Sequence, residues 1–304
     1  MNVKENPILS HNERGENKKE KMLTKLATSK YGQDGAIFGN TLFRFDHLGN
    51  CSVYDIEELL SGGERSLSPI SEFTLDRADE ITPHGNAVCF GSEYYTEGDE
   101  FPLLYNNIYN NYAKAEDRLV GVCCVYRIFR TECGFSSEFV GLIRIGFTED
   151  CIWRSDGVDD VRPYGNFVID RERERLYAYV MRDADKTTRY FSFALPSIKD
   201  GKKDSRFRVK TVTLEKCDIL EYFDTPYHNF IQGGIARDGR VYEVEGFNSD
   251  IHPAVRIVDF DERREVLHVD FCLEGFETEA EMIDFLDNAL IYSDAHGVIY
   301  KLEV

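Results

Sequence analysis

The stretch MIDFLDNALIYSDAHGVIYKLEV, residues 282–304, contains the pattern on which the predicted fold rests. An apolar segment reaches an acidic, glycine-containing turn and continues as a second segment rich in Val, Ile and Tyr. Asp294 and Gly297 suit this turn, because Gly takes a positive φ without strain and Asp hydrogen-bonds back to the backbone. The stretch therefore predicts paired antiparallel β-strands.

The same pattern recurs along the chain. Three more segments show it: IFGNTLFRFDHLGNCSVYDI (37–56), FVIDRERERLYAYVM (167–181) and GGIARDGRVYEVEG (233–246). A longer unit starts at His84 and includes the apolar runs AVCF, LVGVCCVYRIFR and EFVGLIRIGF. Short polar or glycine-containing segments precede the five units, at 31–33, 84–86, 164–166, 232–234 and 279–281. Units of this kind predict an all-β fold, a five-bladed β-propeller.

The composition agrees with a strand-rich protein and limits its partners. The 304 residues are 42% apolar and 13% aromatic, and aromatic residues favour half-buried strand surfaces. The formal net charge is −19. Because so acidic a surface is repelled by phosphate backbones and anionic headgroups, we expect neither nucleic acid nor a membrane as a partner.

The two ends of the chain bear on the domain organisation. Residues 1–20 are rich in Asn, Glu and Lys and lack the apolar run of a secretory signal, so we expect a disordered tail and a cytoplasmic location. We expect residues 21–304 to form a single propeller domain. The final unit holds about three of the four strands that a blade needs, so segment 22–28 is predicted to pair with the C-terminal strand. The alternative is a β-sandwich divided near residues 156–163.

The cysteines indicate core thiols. Six of the eight lie within or beside apolar runs, and we expect them to be reduced and buried: Cys51, Cys89, Cys123, Cys124, Cys217 and Cys272. The vicinal pair Cys123 and Cys124 should point to opposite faces of one strand. Because no Cys-x-x-Cys pair is present, a structural zinc site is not expected.

A candidate site follows from the predicted architecture. The first strands of propeller blades surround a central channel, and the residues at their starts surround its mouth. The side chains expected there are Gln33, Asp34, His84, Asn86, Tyr164, Asn166, Gln232 and Glu281. Carboxylate and amide oxygens bind Ca²⁺ and also hydrogen-bond sugar hydroxyls, and His84 is a candidate proton relay. The sequence therefore predicts a small-molecule or Ca²⁺ site at this mouth.

The segment FPLLYNNIYNNY, residues 101–112, is a second candidate for ligand binding. It alternates Tyr with pairs of Asn, starting at Tyr105 and Tyr109. Tyrosine rings stack on the apolar faces of sugars while amides bond to their hydroxyls, so Tyr105 is predicted to contact a carbohydrate-like ligand. The alternative is a strand followed by an exposed loop.

The carboxylate and amide mouth resembles that of the calcium-centred lactonase and phosphoesterase propellers, in which Asn, Asp and Glu from different blades hold the ion. The resemblance implies Asp34, Asn86, Asn166 and Glu281 as Ca²⁺ ligands. Gln232 departs from the Asn or Asp of those propellers, and five blades replace six. The five-bladed class also includes glycan-cleaving enzymes.

Glycan cleavage needs two carboxylates, one acting as an acid and one as a base or nucleophile. The candidates are Asp34, Glu243, Glu245 and Glu281. For Glu281 a structural alternative exists, because residues 278–281 match a helix capping box that would start a helix over AEMIDFL, residues 280–286.

Three functions are compatible with these observations. The first is binding of a small polar, carbohydrate-like ligand at the channel mouth. The second is hydrolysis, by a glycoside hydrolase or by a Ca²⁺-dependent ester or lactone hydrolase that uses Asp34 and Glu281. The third is a protein-interaction scaffold, which would carry an exposed apolar patch.

Overall fold

The computed structural model describes residues 22–30, 32–108, 119, 121–147, 166–182, 186–228, 230–247 and 251–304. Strands dominate this part of the chain, so the all-β prediction is confirmed. Its one α-helix is the short α1 (Ala78–Ile81). None of the helices in the described ranges is long and apolar enough to cross a bilayer. The predicted tail, the predicted linker at 156–163 and Tyr164 lie outside the described residues.

The first two sheets follow one another along the chain. After β1 (Leu23–Thr28), the first is a meander in the order β2-β3-β4-β6. Its strands are β2 (Gly35–Phe38), β3 (Thr41–Phe45), β4 (Asn50–Asp55) and β6 (Ser71–Thr74). The short β5 (Arg65–Ser66) lies between β4 and β6 in the chain but is not part of this sheet. The second contains β7 (Gly85–Phe90), β8 (Leu104–Ile108), β9 (Val122–Thr131) and β10 (Gly134–Ile145), extended at β10 by later strands.

The third and fourth meanders share one eight-stranded sheet. The third contains β11 (Asn166–Asp170), β12 (Arg175–Arg182), β13 (Thr187–Ala194) and β16 (Glu221–Pro226). Strands β14 (Lys202–Lys203) and β15 (Lys210–Leu214) lie between β13 and β16 in the chain and extend the second sheet. The fourth contains β17 (Ile231–Arg237), β18 (Arg240–Glu245), β19 (Ala254–Asp259) and β20 (Arg264–Asp270). A parallel contact between Asp170 and Ala236 joins the two halves.

The last meander closes the structure with the first strand of the chain. It contains β21 (Ala280–Leu286), β22 (Ala289–Asp294) and β23 (Val298–Leu302). Strand β1 pairs with β23 in antiparallel register, with Leu23 opposite Leu302 and Thr28 opposite Val298. The predicted pairing of the N- and C-terminal strands is therefore confirmed.

The first strands of the five meanders form a ring. Strand β2 packs against β7, β7 against β11, β11 against β17, β17 against β21, and β21 against β2. Two stacked sheets would not produce such a cycle, so the architecture is propeller-like and not a sandwich.

The inner position of β21 decides between the two interpretations of Glu281, a residue at the channel mouth or the start of a helix. The run Ala280–Leu286 is a strand, and six of its seven residues are buried. A first strand packs on both faces, so its apolar residues need not follow the one-sided pattern of a surface helix. The helix alternative for residues 280–286 is therefore wrong.

The buried thiols follow the strands. Cys51, Cys89, Cys123 and Cys124 are free and buried, as predicted. Cys123 and Cys124 belong to different apolar clusters, which confirms that they face opposite sides of β9. The prediction of burial is wrong for Cys217, which is exposed, and Cys272 is only partly buried. Both lie in 3₁₀ turns rather than in strands.

Candidate functional site

The start face is the end of the ring where the five first strands begin, marked by Asp34, Asn86, Asn166, Gln232 and Glu281. Gln33 connects three meanders there. Its Nε2 donates to Glu281 Oε1 at 3.2 Å, and its Oε1 contacts Nε2 of His84. The structure therefore brings together Gln33, His84 and Glu281, which the sequence predicted as neighbours.

Electrostatics fix the protonation state of His84. Burial, with a smaller effect from His47, lowers the pKa of His84 to about 4. The imidazole is therefore neutral at pH 7. Because its Nε2 faces the carbonyl oxygen of Gln33, Nε2 carries the proton and donates it to that oxygen.

A buried arginine that was not predicted as a site residue lies beneath the same face. The Arg44 side chain, on β3, is fully buried, and its Nη2 donates to the carbonyl oxygen of Gly32 at 3.0 Å. Its Nε and Nη1 have no hydrogen-bond partner among the described residues. Burial lowers the pKa of Arg44, while the charges of Asp34 and Glu281 raise it. The one feature of the sequence that could have identified Arg44 is its position as the single arginine in the apolar strand TLFRF.

Glu281 is almost completely buried beside this arginine. Burial raises the pKa of Glu281 well above its usual value, and the nearby Glu279 adds to the increase, whereas Arg44 opposes it. The carboxyl group therefore resists ionisation more than an exposed glutamate does.

Asp34 joins the first meander to the second. Its Oδ1 accepts from the backbone N–H of Gly35 and its Oδ2 from that of Val88, each at 2.7 Å. Burial raises the pKa of Asp34 well above its usual value, although these two hydrogen bonds lower it. Asp34 therefore has a structural task in addition to the catalytic and Ca²⁺-binding roles predicted for it, which stay predictions.

Amides from the second and third meanders meet at the start face. Asn107 Nδ2, on β8, donates to Asn166 Oδ1 at 2.5 Å. Two buried amide oxygens here have no hydrogen-bond partner within the described part of the chain, Asn106 Oδ1 and Asn107 Oδ1, whereas the Asn166 amide interacts with the Tyr179 hydroxyl. Gly85 makes room for them, because a Cβ there would lie 2.2 Å from Asn106 Oδ1.

The remaining predicted amides contact the fourth and fifth meanders. Asn86 Nδ2 donates to the carbonyl oxygen of Ile231 at 3.4 Å. Gln232 Nε2 donates to the carbonyl oxygen of Gly246 at 3.2 Å and contacts Glu279. Each predicted amide thus reaches a neighbouring meander or strand.

Three predicted candidates contact other groups than these start-face side chains. Tyr105 is buried on β8 within the largest apolar cluster, and its ring packs against Gly91. Glu245 lies on β18, where both its oxygens bond to Arg256 at 2.9 Å. Glu243, on the same strand, accepts from Tyr190.

The opposite end of the ring has different chemistry and was not predicted. A cavity of about 190 Å³ there is lined by Phe38, Arg171, Arg237 and Phe285, among others. The Arg237 guanidinium lies 4.9 Å from the centre of the Phe285 ring, and that of Arg171 lies 6.0 Å from the centre of Phe38. Arginines and aromatic rings line this cavity together with Glu172 and Asp287, whereas amides and carboxylates mark the start face.

Comparisons with known proteins identify no relative by sequence: neither a protein family nor a curated protein matches the chain. Among solved structures, BamB from Moraxella catarrhalis aligns over 91% of this chain at 9% identity, with a TM-score of 0.34. The chain spans 60% of that BamB. A computationally designed protein, Ika8, aligns over 92% of this chain and 99% of its own, at 8% identity and a TM-score of 0.36. Similarities this distant transfer no function.

Proposed function

We propose that each meander is one blade of a five-bladed propeller and that the protein binds a small, neutral, carbohydrate-like ligand at the start face. The observation that carries the proposal is the pair of buried amide oxygens without a partner among the described residues: Asn106 Oδ1 and Asn107 Oδ1. Buried polar groups are nearly always hydrogen-bonded, and one left unpaired costs about 1–3 kcal/mol.

The chemistry of these atoms favours hydroxyl groups. Both are acceptors, and a hydroxyl can donate to each. A polyol presents several hydroxyls at once and matches such a pair. The site also combines Arg44 with Asp34 and Glu281, whose carboxyl groups resist ionisation, so a neutral ligand avoids the cost of burying a further charge.

A thermal-shift titration of the full chain tests the proposal. The probes are glucose, galactose, mannose, N-acetylglucosamine and myo-inositol. We expect at least one of them to raise the melting temperature, and we expect Asn107→Ala and Asn166→Ala each to abolish the shift. Asn40→Ala, an exposed amide outside the face, is the matched control and should keep it. Stabilisation by none of the five, or an unchanged shift in both variants, rejects the proposal.

The second candidate function is hydrolysis at the same face. The raised pKa of the buried Glu281 favours it, because a general acid must stay protonated near neutral pH. Asp34 is the second carboxylate, and Asp34, Asn86, Asn166 and Glu281 are the set proposed to hold Ca²⁺. Chromogenic aryl glycosides and aryl lactones, assayed with and without Ca²⁺, provide the test. Activity that is lost in Glu281→Gln supports this function, and activity that survives the change rules it out.

A further inference from the structure

Three metal-binding side chains cluster at the outer strands of the fourth meander. One ligand atom from each of His252, Asp270 and Cys272 lies within 4.8 Å of the other two. His252 Nδ1 is 3.3 Å from Asp270 Oδ2. His252 precedes β19, Asp270 ends β20, and Cys272 lies in the 3₁₀ turn Phe271–Glu274 that follows. Both His252 and Asp270 are open to solvent, with side chains 44% and 37% exposed.

The backbone holds the cluster together. Asp270 Oδ1 accepts from the backbone N–H of Cys272 at 2.8 Å, so the second carboxylate oxygen is the one that faces His252. The N–H of Phe271 donates to the carbonyl oxygen of Pro253 at 2.9 Å. Phe271 itself is fully buried. The segment that carries His252 and the turn that carries Cys272 are therefore fixed to each other before any ion binds.

The donor types select the ion. An imidazole nitrogen, a carboxylate oxygen and a thiolate sulfur form a mixed set that suits Zn²⁺, whereas Ca²⁺ and Mg²⁺ require oxygen. Ligand atoms in a tetrahedral zinc site lie roughly 3–4 Å apart, as Zn–S and Zn–N lengths of about 2.3 and 2.0 Å imply. The pair His252 and Asp270 already has this separation. The Cys272 sulfur lies within 4.8 Å of both atoms, so at most a small shift completes the set.

We propose that His252, Asp270 and Cys272 bind one Zn²⁺, with a water molecule in the fourth position. The absence of a Cys-x-x-Cys pair argued against a zinc site, but the site proposed here uses only one cysteine.

The ion would connect two parts of the chain. The turn that carries Cys272 ends at Glu274, and β21, whose second residue is Glu281 of the start face, begins at Ala280. Zinc bound here joins the segment before β19 to the turn after β20. Since binding to the folded state alone stabilises a protein by mass action, Zn²⁺ should raise the melting temperature of the full chain.

Metal titrations of the reduced, metal-free full chain test the site. Co²⁺ serves as a spectroscopic probe, because thiolate ligation gives a charge-transfer band in the near ultraviolet, and Zn²⁺ affinity is measured by competition with a chromophoric chelator. We expect one Zn²⁺ per chain, loss of the Co²⁺ band in Cys272→Ser, and an affinity at least about tenfold weaker in His252→Ala, Asp270→Asn and Cys272→Ser.

The controls separate binding from folding. Cys217→Ser changes an exposed cysteine outside the cluster and should keep both band and affinity. Asp270→Asn keeps an oxygen for the N–H of Cys272, so its circular dichroism spectrum should match that of the wild type. A wild-type chain without the Co²⁺ band, or a Cys272→Ser variant with unchanged affinity, overturns the proposal.

Discussion

Two groups of buried carboxylates hold neighbouring meanders together by different means. In the first, which we name the aspartate bridges, Asp34, Asp170 and Asp284 each accept a backbone N–H from another meander. The donors are Val88, Gly239 and Ile37, at 2.7, 2.6 and 2.6 Å respectively. In these bridges a negative charge is compensated by neutral peptide dipoles.

The second group is a network of charged side chains between the third and fourth meanders. His228 is fully buried, and its Nδ1 lies 3.1 Å from Glu243 and its Nε2 2.9 Å from Glu265. Tyr190 donates to Glu243 at 2.6 Å. Arg256 bonds to Glu265 at 2.7 Å. We name these five residues the histidine network.

The two groups show that burial alone does not determine how protein stability changes when a buried carboxylate is replaced or protonated. The hydrogen bonds to an aspartate bridge come from neutral donors, so removal of its charge relieves the cost of burying that charge but leaves N–H groups without acceptors. The histidine network depends on proton occupancy, because an imidazolium between two carboxylates is stabilised and a neutral imidazole much less so.

Loss of a complete aspartate bridge should have the largest effect. Asp170 accepts from Gly239 N–H at 2.6 Å, from Arg173 N–H at 3.1 Å and from the Tyr177 hydroxyl at 3.4 Å. Asp170→Ala leaves these donors without that acceptor and should lower the free energy of unfolding by about 4 kcal/mol. Urea denaturation measures the change. Asp55→Ala, which removes a solvent-exposed carboxylate-to-backbone bond, should cost less than about 1 kcal/mol.

A comparable cost for the two variants would show that the aspartate bridges contribute no more than an exposed turn.

Removal of one charge from the histidine network should cost slightly less. Glu243→Gln keeps the shape of the side chain but leaves the buried His228 with one carboxylate in place of two. We expect a loss of about 3 kcal/mol in unfolding free energy at pH 6. Glu262→Gln, at an exposed ion pair, is the control. If both glutamine variants unfold at the same urea concentration, the network is not a source of stability.

The pH dependence should separate the two groups, starting with Asp284. Burial raises the pKa of Asp284 from 3.8 to about 6. Because the folded state holds this proton more tightly than the unfolded state, unfolding free energy should fall as pH rises from 3.8 to 6, by up to about 3 kcal/mol. Asp284→Asn should flatten this slope, whatever its effect on absolute stability.

Urea titrations at half-unit pH intervals measure the slope, with Asp55→Asn as an exposed control. A slope that is identical in Asp284→Asn and in the wild type contradicts the expectation.

The smallest expected effect concerns His228 and falls at higher pH. Burial lowers the pKa of His228, but the hydrogen bonds to Glu243 and Glu265 outweigh it, so the pKa is raised above 6.5. The stability contributed by the proton is thus complete below pH 6.5 and is lost as pH rises through the folded-state pKa. His228→Gln should remove this decline and leave the decline at lower pH intact. NMR titration of the His228 ring gives an independent check, since a ring pKa below 6.5 would contradict the assignment.

The sequence predicted what local chemistry determines. Turn residues such as Asp294 and Gly297 identify a hairpin without knowledge of the rest of the fold, and an incomplete last unit points to β1 as its partner. The neighbours Gln33, His84 and Glu281 followed from the same repeat.

The roles of buried groups could not be predicted in this way. Asp34 was selected for catalysis, but its second partner, Val88, lies 54 positions away and donates through the backbone, which carries no side-chain signature. Arg44 was missed because a strand pattern does not reveal whether a polar residue faces a buried site. Tyr105 was selected on composition, yet it lies on β8, the second strand of its meander, within an apolar cluster.

Closure by β1 affects folding during synthesis, because β1 is made long before its partner β23. Ser29 and Gly297, which bond to each other beside the β1–β23 pair, are 268 positions apart. During synthesis the edge of β1 must therefore wait, unpaired, for nearly the whole chain to leave the ribosome. Contacts between such distant positions slow folding, and an unpaired edge invites association with other chains. A chain that ends before β23 would therefore carry an unpaired strand edge at each end of its incomplete ring.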